Sequence, residues 1–149
     1  MKKIYAKAVP FEKSFVTLAL ESGVDGIIVE KKDVDLVASL GRTEIITTDE
    51  VRHVKLKTKG DEKIAADAMK RGDLVLLEKG WEIIPVENLL AQGEGLGVEV
   101  EGLARAETAV GVLEKGVDFL AVLPEAAAEL KAVVAKIKLT LGTVDLTTA

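Results

Sequence analysis

The chain has no cysteine among its 149 residues. That excludes disulfide frameworks, thiolate nucleophiles and cysteine-ligated zinc. Histidine occurs once, at His53, so a metal centre built on several histidines is excluded too. A divalent site made of carboxylates alone stays open, although no metal is expected. Aromatic residues are scarce, with one tryptophan, one tyrosine and three phenylalanines. No run of about 18 uncharged apolar residues occurs, so no membrane span is indicated. The N-terminal MKKIYAKAVPFEK has the lysines of a signal peptide but no apolar stretch behind them. The expectation is a cytoplasmic protein with no membrane partner.

What is present is a globular composition, 48% hydrophobic and 30% charged with a net charge of −5, in a length that suits one domain with a real core. One basic cluster stands out, Arg52-His53-Val54-Lys55-Leu56-Lys57-Thr58-Lys59. Its alternation fits a strand with one basic face, either a solvated edge or a phosphate-binding surface. Single-stranded nucleic acid wants such charge beside exposed aromatics. Five aromatics in the whole chain favour the solvated edge. Nucleic acid is not an expected partner, and His53 reads as a surface residue of that strand.

Three stretches read almost alike: ALESGVDGIIVE (19–30), AMKRGDLVLLE (68–78) and VLEKGVDFLAVL (112–123). Each is the end of an amphipathic helix, then a glycine, an aspartate and a short apolar run. Gly23, Gly72 and Gly116 can take the left-handed conformation that closes a helix. The apolar runs lack alternation, as expected of parallel strands covered on both faces. Strands are predicted near 3–9, 25–30, 43–48, 52–58, 73–78, 97–103, 118–123 and 138–147. Helices are predicted near 11–22, 33–40, 60–71, 86–92, 105–115 and 125–137. Asp33 and Thr58 read as helix caps, the latter with Asp61 three residues on. Alternating strands and helices mean an α/β fold with a parallel sheet. Its expected form is a compact or incomplete (β/α)8-like barrel, because the helices between 43 and 58 are too short or absent. Residues 1–149 read as a single β/α domain. The closing run LTLGTVDLTTA (139–149) stops in mid-strand, which suggests the N-terminal domain of a longer chain.

Ligands of parallel β/α folds bind at the C-terminal strand ends. The polar residues expected there are Glu30, Lys31, Thr47-Thr48-Asp49, Lys57, Glu78, Lys79 and Glu101. Carboxylates and lysines around one rim can support proton transfer or imine chemistry, yet strand ends are polar in any such protein. The glycine-rich GEGLG (93–97) does not read as a dinucleotide fingerprint. It follows a helix and precedes a strand, and Val98 stands at the third glycine position. In GWEIIPVENLLAQ (80–92), Trp81 offers an apolar plane with one N–H donor, and Pro85 can sit just before a short helix. Glu87 and Asn88 then fall in that helix's first turn. A buried tryptophan beside a capped helix explains the segment on physics alone.

The same segment, WEIIPVENLLA, resembles the WTIIPLENLIA string of the archaeal-type (class II) 3-dehydroquinate synthases. FVTLALESGVDGIIVE (15–30) and GLARAETAVGVLEKGVDFLAVLP (102–124) are similar to further family strings, in the same order. The resemblance implies an NAD-dependent oxidative deamination of an amino-dideoxy-heptulosonate, a seven-carbon amino-ketose acid. An internal aldol step then closes the ring to 3-dehydroquinate, within aromatic amino-acid biosynthesis. It implies Glu30 and Glu78, with Lys79, as catalytic candidates, and Lys31, Glu87 and Asn88 as substrate-binding ones. It does not locate the NAD site. Two departures are plain: Gly80 stands where the family usually has Asp, and the family's second half has no counterpart in these residues. An aminohydroxybenzoate-type synthase and a non-catalytic binding or assembly module, including a homo-oligomeric one, are the alternative readings.

Overall fold

Two of the three glycine–aspartate junctions do the same job at the start of a strand. The computed structural model describes residues 2–112 and 116–140. Gly23, Gly72 and Gly116 have φ of 85°, 89° and 69°, and the first two sit at the end of a helix, where this left-handed geometry closes it. Asp25 and Asp118 reach sideways, whereas Asp73 pairs with Arg71 two residues before it. Asp25 Oδ2 accepts the backbone N–H of Ile4 at 2.7 Å. Asp118 Oδ2 accepts those of Gly95 at 2.7 Å and Leu96 at 3.0 Å. Each carboxylate thus fastens the start of the neighbouring strand.

The strands are β1 (Lys3–Lys7), β2 (Gly26–Val29), β3 (Glu44–Thr47), β4 (Val51–Val54), β5 (Leu74–Leu77), β6 (Leu96–Val100) and β7 (Phe119–Val122). The α-helices are α1 (Lys13–Ser22), α2 (Val34–Leu40), α3 (Lys59–Lys70), α4 (Ile83–Leu90), α5 (Leu103–Gly111) and α6 (Ala127–Thr140). Among the described residues the strands form one sheet in the order β3-β2-β1-β7-β6-β5-β4, with every neighbouring pair parallel. This is the cyclic order of a β/α barrel, curled but open at one place, between β3 and β4. The cause is local. Parallel neighbours need a crossover of a dozen or more residues, and β3 is joined to β4 only by the 3₁₀ turn Thr48–Glu50.

Curling gives the sheet two unlike faces. The outer one, with Ile4, Ala6, Ile27, Val29, Val75, Leu77, Val98, Val100, Leu120 and Val122, packs under the helices. The inner face holds Tyr5, Ile28, Ile46, Val51, Leu76, Phe119 and Ala121. Both faces are therefore apolar, which is why the strands show no alternation in sequence. Near the N-terminal end the inner face is filled by Tyr5 and Phe119, edge to face with ring centroids 5.8 Å apart. Burial, and then Glu44, pushes the Tyr5 hydroxyl well above the usual tyrosine range. Gly97 makes room for this pair: a Cβ there would lie 2.3 Å from the Phe119 ring.

Several expectations are corrected. Residues 138–140 belong to α6 and not to a strand; the remainder of the run predicted over 138–147 lies outside the described residues. The strand predicted over 52–58 ends at Val54, because Lys57 and Thr58 already cap α3. Lys57 N and Thr58 N both donate to Asp61 Oδ2 at 2.9 Å, the capping box foreseen there. Asp33 occupies the position before α2 but makes no side-chain cap bond. Helix α4 starts at Ile83, so Pro85 lies inside its first turn, where a missing N–H deprives no partner.

Candidate functional site

The C-terminal strand ends open toward one side of the sheet, and the inward positions there are polar. Alternation places Lys7 above Tyr5, Glu99 above Gly97, Glu30 above Ile28, Glu78 above Leu76 and His53 above Val51. An apolar floor thus carries a charged layer. At its centre Lys7 Nζ meets Glu99 Oε2 at 2.6 Å, with side chains only 15% and 7% exposed. The other carboxylate oxygen, Oε1, accepts the backbone N–H of Lys79 at 2.9 Å. His53 stands half-buried beside the pair. Its Nδ1 faces Val51 O at 3.2 Å, and its Nε2 is shielded from solvent without a hydrogen-bond partner. Burial, and next the Lys7 ammonium, lower the His53 pKa, against the smaller pull of Glu99 and Glu78. The imidazole is neutral at physiological pH.

The tryptophan segment builds this site from behind. Trp81 is 2% exposed, and its indole N–H donates to Glu99 O at 2.8 Å. The Arg105 guanidinium lies 3.6 Å over the indole ring and also donates to Trp81 O. Arg105 Nε approaches Glu101 Oε1 at 3.9 Å. The loop after β5 is therefore stapled to the end of β6, and Glu99 is held at both its main chain and its side chain. Trp81 and its surroundings are structural, as physics alone suggested, but they fix a charged residue of the mouth.

The predicted site residues fall into two groups. Glu30 and Glu78 each follow directly on the last residue of their strand, β2 and β5, and Glu78 lies near His53. Lys79 contributes its N–H to Glu99, while its ammonium turns to Glu125 at 2.9 and 3.2 Å. That contact raises the Lys79 pKa and keeps it a cation. Lys31 is exposed on the short 3₁₀ turn Lys31–Asp33. Glu87 and Asn88 lie on α4 in the helical layer, where Asn88 Nδ2 donates to Glu62 Oε1 of α3 at 3.1 Å. The reading of His53 as a surface residue on a basic strand is corrected: only Arg52 of that strand is exposed, and His53 faces inward. Lys7 and Glu99 escaped the sequence reading altogether. The available signal was Glu99 as the lone charge inside the apolar LGVEV, because a buried charge needs a partner. Among the described residues, no three His, Asp or Glu side chains gather as metal ligands.

The profile of the 3-dehydroquinate synthase II N-terminal domain matches residues 1–137. The chain belongs to the 3-dehydroquinate synthase II family. It is 38% identical to a 3-dehydroquinate synthase homolog of Persephonella marina over 98% of this chain and 46% of that protein. It is 36% identical to a 3-dehydroquinate synthase of Methanoregula boonei, again over 98% of this chain and 46% of the relative. A homolog from Aquifex aeolicus is 35% identical over 78% of the chain and 38% of its own length. The chain thus spans about half the length of these relatives. No solved structure matches it significantly.

Proposed function

We propose that the chain acts as the N-terminal, substrate-handling part of a class II 3-dehydroquinate synthase. The reaction is the NAD-dependent oxidative deamination of 2-amino-3,7-dideoxy-D-threo-hept-6-ulosonate, followed by aldol closure to 3-dehydroquinate. The observation that carries this reading, beyond family membership, is the charged layer set on an apolar floor at the C-terminal strand ends. Carboxylates there suit the two proton movements the chemistry needs, at the amine nitrogen and at the carbon beside the ketone. Glu30 and Glu78 take the acid and base roles. The cations Lys79 and Lys31 stand at the rim to meet the substrate carboxylate, with Glu87 and Asn88 as further hydroxyl contacts.

NAD enters through the family alone. The chain's glycine-rich loop does not fit it, because the N–H groups of Gly95 and Leu96 are already held by the Asp118 carboxylate. No step on these residues runs through the cofactor. A second reading is a binding module that depends on a further domain for chemistry, favoured by coverage of only 46% of the relatives' length. Calorimetric titration with NAD and with the amino-ketose acid tests both readings. Heat from the amino-ketose acid is expected; heat from neither ligand would contradict the substrate-handling role.

A further inference from the structure

The buried Lys7–Glu99 pair is poorly explained by stability. Two charges taken from water into an apolar interior regain little more than two well-packed apolar side chains would give. Yet the pair sits directly above Tyr5 and Gly97 on the inner face, with Lys7 Nζ and Glu99 Oε2 2.6 Å apart. Glu99 is held in turn by Lys79 N–H and, through its carbonyl, by Trp81. A second polar atom, His53 Nε2, faces the same interior without a partner. The other cations of the mouth are placed differently: Lys79 is exposed and bound to Glu125, and Lys31 is exposed on its turn.

We propose that Lys7 is the group that receives the anionic oxygen of the substrate, oriented by Glu99 and standing over the apolar floor of the barrel mouth. Rigid and largely desolvated, its ammonium acts at a lower effective dielectric than any rim lysine. Glu99 holds it in place through the 2.6 Å contact. Neutral His53 adds no competing charge and leaves its Nε2 for a ligand oxygen or hydroxyl. The anionic oxygen belongs either to the substrate carboxylate or to the enolate formed beside the ketone, and Lys7 suits both by the same chemistry. This inference rests on the reading of the mouth as a 3-dehydroquinate-forming site.

His53 reports on it directly, because a single histidine gives unambiguous imidazole resonances. The charged groups facing His53 are Lys7 from β1, Glu99 from β6 and Glu78 from the end of β5. An anion seated on Lys7 raises the His53 pKa. The experiment is a proton NMR titration of His53 in the 149-residue chain, alone and saturated with 3-dehydroquinate or quinate, with heats of binding measured in parallel. A rise with both ligands assigns Lys7 to the carboxylate they share; an unmoved pKa together with binding that weakens in the Lys7 variants assigns it to the uncharged carbonyl oxygen from which the enolate forms. Lys7→Met is expected to weaken binding at least about tenfold, about 1.4 kcal/mol, while Lys63→Met, a surface charge loss on α3, leaves it unchanged. Because Lys7→Met strands Glu99, the double variant Lys7→Met/Glu99→Met, with two apolar side chains in place of the pair, supplies a folded comparison that also fails to bind. Binding of 3-dehydroquinate with an unmoved His53 pKa and undiminished affinity in the double variant would overturn the Lys7 assignment and leave the proposed function standing. Absence of binding to the wild-type chain would overturn both.

Discussion

His53 is the residue whose role changes most between sequence and structure. Read along the chain it belongs to a basic run; in the fold it faces inward, where burial and Lys7 depress its pKa. The linkage follows. Below the ordinary histidine value the unfolded chain takes up a proton more readily than the folded one, so stability falls as pH drops from above about 6.5 toward the depressed value. The stability of the wild type relative to His53→Gln is expected to shrink between pH 7.5 and pH 5, as measured by urea unfolding. A constant difference would place the imidazole in solvent. Trp81 gives a second test at this scale. Trp81→Phe keeps the aromatic plane under Arg105 but leaves Glu99 O without its buried donor, a loss of about 1–3 kcal/mol by chemical denaturation. A neutral outcome would mean that the indole N–H does not hold β6.

At the scale of elements, the sequence was most legible where one physical cause dominates. The helix closures at Gly23 and Gly72 and the Thr58–Asp61 capping box were readable because each depends on neighbours a few residues away. Strand lengths and the fate of residues 138–140 were not, since an apolar segment rich in Val, Ile and Leu suits either a buried strand or a helix face. The inner aromatic pair also lay beyond reach of local pattern. It depends on Gly97 of β6 lying against Phe119 of β7, a register set by the whole sheet. Gly97→Ala is expected to destabilise by about 1–3 kcal/mol through overpacking. Adding Phe119→Leu, which removes the obstructing ring edge, should restore part of that loss. Equal costs with and without the second change would show that the ring does not press on the β6 backbone.

For the whole molecule, the parallel β/α architecture was foreseen from the repeated junctions, and an incomplete barrel from the missing helix between residues 43 and 58; that the sheet opens between β3 and β4 came from the structure. The candidate site was only half legible. That Glu30 and Glu78 stand at strand ends was readable from the short apolar runs before them. Lys7 and Glu99 come together from positions 92 residues apart only once β7 lies between β1 and β6 and the sheet curls, and no local pattern encodes that meeting. The ion pair is for that reason the sharpest probe of fold and site together. A double-mutant cycle of Lys7→Met and Glu99→Gln, read by urea unfolding, measures their coupling directly. The account predicts a coupling of about 1 kcal/mol or more, as for contacting charges in a desolvated setting. Effects that add to within about 0.3–0.5 kcal/mol would mean that the two residues do not meet, and the mouth described for this fold would not exist.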